Sequence, residues 1–205
     1  MEFLKYFILI YIFMLSPGPS MALVSRISAK FGISKTHFAA LGIVTSITIY
    51  AIFALVGIGA LINLYPKAFK VFKICGSFYI IYLGVKIFIS SSKRSELEIS
   101  GGEKNSNMKD YFTGLTTDIA NPLSFVGLTS FILGFVNLDS SLFDKTIFLI
   151  LTTISAFAYI YTYAILFGNP ISRKFINPRI SLFEKIAGMA VGGIGLIFLI
   201  STIKI

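Results

Sequence analysis

An all-α membrane protein of six transmembrane helices, built as two inverted three-helix repeats, is the fold this sequence predicts. Three observations predict it. Of the 205 residues, 56% are hydrophobic and only 13% charged, with a mean hydropathy of +0.86, far from the balance of soluble domains. Six apolar runs come near or beyond the roughly 20 helical residues that cross a bilayer core. A proline-centred interruption lies inside the first run of each half, and paired interrupted helices in corresponding positions point to a transport site.

The first span is expected over Phe3–Val24, broken at Ser16-Pro17-Gly18-Pro19-Ser20. Its start resembles a cleaved leader, but Glu2 accompanies Lys5, and Pro17 and Pro19 crowd any cleavage site. It is therefore read as a span. Thr36–Ile62 and Pro66–Ile89 follow. The polar stretch 91–109 reads as a cytoplasmic loop joining half 1–90 to half 110–205 of a single transporter domain. Tyr111–Val136, broken at Asp118-Ile119-Ala120-Asn121-Pro122, opens the second half, and Lys145–Phe167 and Leu182–Ile203 complete it. An odd number of spans per half turns the second copy upside down.

Charge placement sets the orientation. The formal charge of +9 does not signal nucleic acid, because its distribution follows the membrane. With six spans, twelve Lys and Arg fall on one side and six on the other, a positive-inside bias that puts the central loop in the cytoplasm. Lys67, Lys70 and Lys73 form a basic cluster on the outer side. Trp is absent, so an interfacial aromatic belt falls to Tyr6, Tyr65 and Tyr111 near span ends. Cys75 is the single cysteine, which excludes an intrachain disulfide and a paired-thiol relay.

The two breaks should meet. Each proline lacks an N–H and frees backbone polar groups, which hydrocarbon cannot satisfy; such backbone survives where protein or a wet cavity covers it. Pro17 lies nine residues before Arg26, about 14 Å along a helix, and Pro122 lies twelve after Asp110, about 18 Å. If both charges mark the cytoplasmic boundary, the breaks sit within about one turn of each other, near the middle of the ~30 Å core.

Asp118 is the sharpest candidate. An ionised Asp at helix centre costs about 2.5–3.5 kcal/mol on insertion scales, enough to demand a partner, water or a proton. A group that gains and loses a proton with access is what a proton-coupled exporter needs. The bland alternative is a carboxyl that bonds neighbouring hydroxyls. Thr117, Asn121 and Ser124 surround it, with Pro122 at the break. They can cap the carbonyl that Pro122 frees, or line a site for a substrate's ammonium or carboxylate. Gly18, Pro19 and Ser20 present the matching break beside Pro17, and Thr45 belongs to a hydroxyl patch on the second span. Tyr159, Tyr161 and Tyr163 lie deep in the fifth span, where one could face a cavity. Lys86 reads as a snorkelling lysine. Gly76, Gly84, Gly188, Gly192 and Gly195 read as close-packing positions, and Gly188-x-x-x-Gly192 could also serve a homodimer contact. No His, Cys or carboxylate cluster has metal-ligand spacing, and no phosphate loop, nucleophile triad or cofactor motif is present.

These residues resemble the LysE/RhtB family of amino-acid exporters. The resemblance covers nearly the whole chain. It rests on Leu15-Ser16-Pro17-Gly18-Pro19-Ser20, Phe38-Ala39-Ala40-Leu41-Gly42, Gly76 to Gly84, Gly114-Leu115 through Asn121-Pro122, and the glycine-rich sixth span. It implies a small, multi-pass exporter of the cytoplasmic membrane, driven by the proton gradient and acting on amino acids or their derivatives. Many members place Lys after Asn-Pro, whereas this chain has Leu123, so basic or homoserine specificity is not transferred. The role of Asp118 is not carried over from the family pattern and rests on the residues alone. Three other uses remain: a metal or cation exporter on the same scaffold, a membrane-embedded enzyme or redox relay, and a non-transporting assembly factor.

Overall fold

The computed structural model describes residues 2–16, 18–57, 66–90, 107–136, 140–176 and 179–203. Among them run nine α-helices: α1 Glu2–Met14, α2 Pro19–Phe31, α3 Ile33–Ile52, α4 Pro66–Ser90, α5 Asn107–Ile119, α6 Pro122–Phe135, α7 Leu142–Gly168, α8 Pro170–Ile176 and α9 Ile180–Ile203. A π-helical turn, Phe53–Gly57, extends α3. The described residues contain no strand.

Local chemistry sets several boundaries. Pro19 opens α2, where its missing N–H costs nothing. Gly32, with φ of +84°, takes the chain from α2 into α3, and its N–H bonds the Ser28 carbonyl at 2.9 Å. Ser141 and Asp144 form a reciprocal capping box at the start of α7.

The helical fold is as expected; the count of six spans is met in part. Three helical stretches are long and apolar enough to cross a membrane: Ile33–Val56, Leu142–Gly168 and Lys185–Ile203. The bent pairs α1–α2 and α5–α6 raise the number to five if each is one span. The 25-residue α4 carries Lys67, Lys70, Lys73 and Lys86 and is not among them. The first run extends beyond Val24 to Phe31, and the fourth starts at Asn107, inside the stretch expected to be loop. The rest of that loop, 91–106, lies outside the described residues, as do Pro17 and Tyr65.

Two close seams organise the packing. At Gly84, an added Cβ would sit 2.4 Å from the Gly192 nitrogen and 2.6 Å from the Gly188 carbonyl oxygen, so α4 and α9 touch backbone to backbone. At Gly114, a Cβ would lie 2.1 Å from the Ala39 carbonyl oxygen, and at Gly42, 2.0 Å from that of Tyr111; α3 and α5 are equally close. Small residues permit this approach. The Gly188–Gly192 motif is thus used within the chain. Lys35 and Asp110 close the end of the α3–α5 seam with a 2.9 Å ion pair.

Tyr6 corrects the aromatic-belt expectation. Its side chain is fully buried, its hydroxyl lies 2.6 Å from that of Thr152, and its ring packs edge-on to Phe148 at 4.7 Å. The helical face of α1 turns it towards α7, where its hydroxyl finds a partner, so it is a core residue.

Gly84→Val should force α4 and α9 apart. Overpacking of this kind costs about 1–3 kcal/mol, so the melting temperature of the purified protein in detergent should fall. Gly193→Ala, with nothing within 4 Å of the added carbon, should leave it unchanged.

Candidate functional site

Each break turns the chain sharply, by 72° between α1 and α2 and by 66° between α5 and α6. In an unbroken helix the N–H of residue i bonds the carbonyl of residue i−4. Pro19 therefore orphans the carbonyl of Leu15, and Pro122 that of Asp118. Both find a tyrosine from the opposite half. Tyr163, on α7, donates its hydroxyl to the Leu15 oxygen at 2.7 Å. Tyr50, on α3, donates to the oxygens of Ile119 at 3.0 Å and Asp118 at 3.3 Å. The amide of Asn121 also bonds the Asp118 oxygen, at 3.0 Å.

The two breaks touch through side chains. Ser20 donates from the first turn of α2 to Asp118 Oδ1 at 2.7 Å, and Ser124 donates from α6 to the same oxygen at 3.0 Å. Asn121 Nδ2 donates to Ser124 Oγ at 2.8 Å, which orients that hydroxyl. Asp118 is 2% exposed. Its second oxygen, Oδ2, is buried and has no well-formed hydrogen bond, although the buried Ser46 hydroxyl stands close to the carboxylate. The carboxyl is held by one oxygen and offers the other.

Asp118 lies in the wall of a cavity of about 250 Å³, near the lower end of small-molecule pockets, roughly 300–1,000 Å³. Ser16, Gly18, Pro19, Ser20, Asn121 and Ser124 line it on the side of the breaks. The apolar wall comes from Met14, Met21, Ile47, Leu83 and Leu128 among others. Tyr159 faces the cavity, as one of the three deep tyrosines was expected to, and Lys86 contributes from α4.

The structure thus brings Gly18, Pro19, Ser20, Asp118, Asn121 and Ser124 together. Pro17 and the side chain of Pro122 lie outside the described residues. Thr45 stands apart from this cavity: its hydroxyl donates to the Leu41 carbonyl at 2.8 Å and accepts from Tyr111 at 3.2 Å. Thr117 does not line it either. Tyr50 and the apolar wall were not singled out from sequence; Tyr163 was, as one of the three deep tyrosines, but not as the cap of the first break. A tyrosine 69 or 148 residues away from the carbonyl it caps leaves no local spacing to detect.

The family model for LysE type translocators matches residues 11–202. The chain belongs to the LysE type translocator family. A leucine efflux protein of Enterobacter sp. (strain 638) is 24% identical over 200 residues, covering 97% of this chain and 92% of its own. One of Klebsiella pneumoniae is 23% identical over 200 residues, covering 97% and 91%. An uncharacterized membrane protein of Bacillus subtilis (strain 168) is 26% identical over 191 residues, covering 88% and 90%. No solved structure matches the chain. Gly18-Pro19 and Asn121-Pro122, two of the segments on which the resemblance rests, fall at the two places where the translocator's chain bends.

Tyr163→Phe leaves the Leu15 carbonyl without its hydroxyl donor, and Tyr50→Phe does the same at Ile119. An unsatisfied buried acceptor costs about 1–3 kcal/mol. Each variant should lower the melting temperature in detergent. The double variant should show nearly the sum, since the two caps share no partner.

Proposed function

We propose that this translocator exports amino acids with apolar side chains across the cytoplasmic membrane, in exchange for protons. The contact that carries this reading is Ser20 with Asp118, which joins the two breaks on the wall of an otherwise apolar cavity. Relatives named leucine efflux proteins support the substrate class. The lining supports it as well: methionine, isoleucine and leucine side chains suit an aliphatic side chain, and one carboxylate suits an ammonium group.

Asp118 couples the two fluxes by competition. Its free Oδ2 takes either a proton or the ammonium of the substrate, and a buried carboxylate with neither is costly. A carrier that reorients only when this charge is covered exchanges one for the other. The substrate's ammonium is bound on the side facing the cell interior and is displaced on the other side by a proton, which then returns inward.

The inverted repeat belongs to the same proposal. Its support is the reciprocity of the caps: α3 of the first half closes the break of the second half, and α7 of the second half closes that of the first. The positive-inside bias places the 91–109 connection in the cytoplasm and both termini outside.

A cation exporter is the second use considered from sequence. Asp118 is the sole acid among the residues described as lining the cavity, and among the described residues no group of three His, Cys, Asp or Glu could hold a metal. This donor set favours an organic cation over a metal ion.

In proteoliposomes loaded with radiolabelled leucine, a pH gradient should drive leucine out of the more alkaline compartment, whichever way the protein inserts. Asp118→Asn should reduce gradient-driven flux to the level of empty vesicles. Equal flux in wild type and variant would refute the coupling role.

A further inference from the structure

We propose that Lys86 binds the carboxylate of the transported amino acid and so makes the site selective for zwitterions over simple amines. This rests on the amino-acid reading of the cavity and names a second recognition point in it. An amino acid carries two opposite charges. A site with one acid alone would accept any small apolar amine, because nothing in it would recognise the carboxylate. The cavity has one acid among its described lining residues, Asp118, and one base, Lys86.

The position of Lys86 on α4 supports the assignment. Leu83, Lys86 and Ile87 line the cavity together, and residues three and four apart share a helix face. Lys86 is itself exposed and stands where the cavity side of α4 meets an outward face on which Tyr82 and Val85 are about half exposed. Its ammonium stands 5.9 Å from the centre of the Tyr82 ring and forms no ion pair with an acid among the described residues. The long stem can lie along apolar neighbours while the charged end moves. A lysine serving only as a membrane anchor has no need of the cavity face.

The geometry divides the substrate in a simple way. The ammonium meets Asp118 Oδ2 at the breaks, the carboxylate meets Lys86 on α4, and the aliphatic side chain occupies the wall formed by Met21, Ile47 and Leu83. Binding then replaces two separated protein charges with two matched pairs, and each charge-assisted hydrogen bond is stronger than a neutral one.

The experiment is equilibrium binding of L-leucine and of L-leucinamide, which lacks the carboxylate, to the purified full-length protein in detergent. Wild type should bind leucine about ten-fold or more tighter than leucinamide. Lys86→Met should bring the two within about two-fold, with leucinamide affinity unchanged, and Lys86→Arg should keep the preference. Lys86→Gln, which retains length and polarity, is read beside Lys86→Met against loss of fold, and unchanged leucinamide binding reports an intact site. A Lys86→Met or Lys86→Gln protein that keeps the wild-type preference, or that weakens both ligands alike, overturns the proposal. Wild type that binds neither compound overturns the amino-acid reading itself, and this assignment with it.

Discussion

A carbonyl stripped of its helical partner in hydrocarbon needs a donor, and that requirement organises this molecule. Pro19 and Pro122 each remove the N–H that would have bonded four residues back. The chain answers both losses with a phenolic hydroxyl from the other half, Tyr163 to Leu15 and Tyr50 to Ile119 and Asp118. A bend of about 70° in each rod is therefore held by hydrogen bonds that cross between halves. The glycine seams let the helices come close, since Gly42 and Gly114 put α3 against α5 and Gly84 puts α4 against α9.

The same two bends create the polar site. Because the bends face each other, Ser20 reaches Asp118 directly. Ser124 and Asn121 complete the support from the other side of the same break. Two hydroxyl groups, one of them oriented by the Asn121 amide, hold one oxygen of a carboxyl that is 2% exposed, and the second oxygen has no well-formed hydrogen bond. Burial without full satisfaction is expensive, and it is found here at the junction of the breaks, beside a cavity whose remaining wall is largely apolar.

What sequence shows and what it hides follow from the range of the interactions. Proline breaks are local, and Asp118 is conspicuous because charge is rare in apolar helices; both were legible, as was their meeting. The packing role of Gly84 and Gly188 was legible because small residues in apolar helices have few other uses. The capping roles of Tyr50 and Tyr163 were not: Tyr163 stood out as one of three deep tyrosines, but nothing in the sequence points to the distant carbonyl that each hydroxyl reaches. Tyr6 sits where an interfacial tyrosine would, and only the Thr152 hydroxyl across α7 reveals it as core. Thr45 has the chemistry of a site residue but sits on the face of α3 that meets Tyr111, a matter of helix rotation that hydroxyl content does not encode. Lys86 has the composition of an anchor, and its place in the cavity wall is visible only in the fold.

The placement of the caps also constrains how such a molecule can move. Each cap ties a break in one half to a helix of the other, at the depth where Asp118 and the cavity lie. Access to a central site must alternate between the two sides of the bilayer. A motion that opens one side and keeps both caps must keep Tyr163 and Tyr50 on the breaks, and it also works against the other bonds that cross between the halves, among them Tyr6 with Thr152, Tyr11 with Thr162 and Lys35 with Asp110. In the exchange proposed for this translocator, the capped breaks would keep the Asp118 carboxyl beside the junction that Tyr50 and Tyr163 hold together.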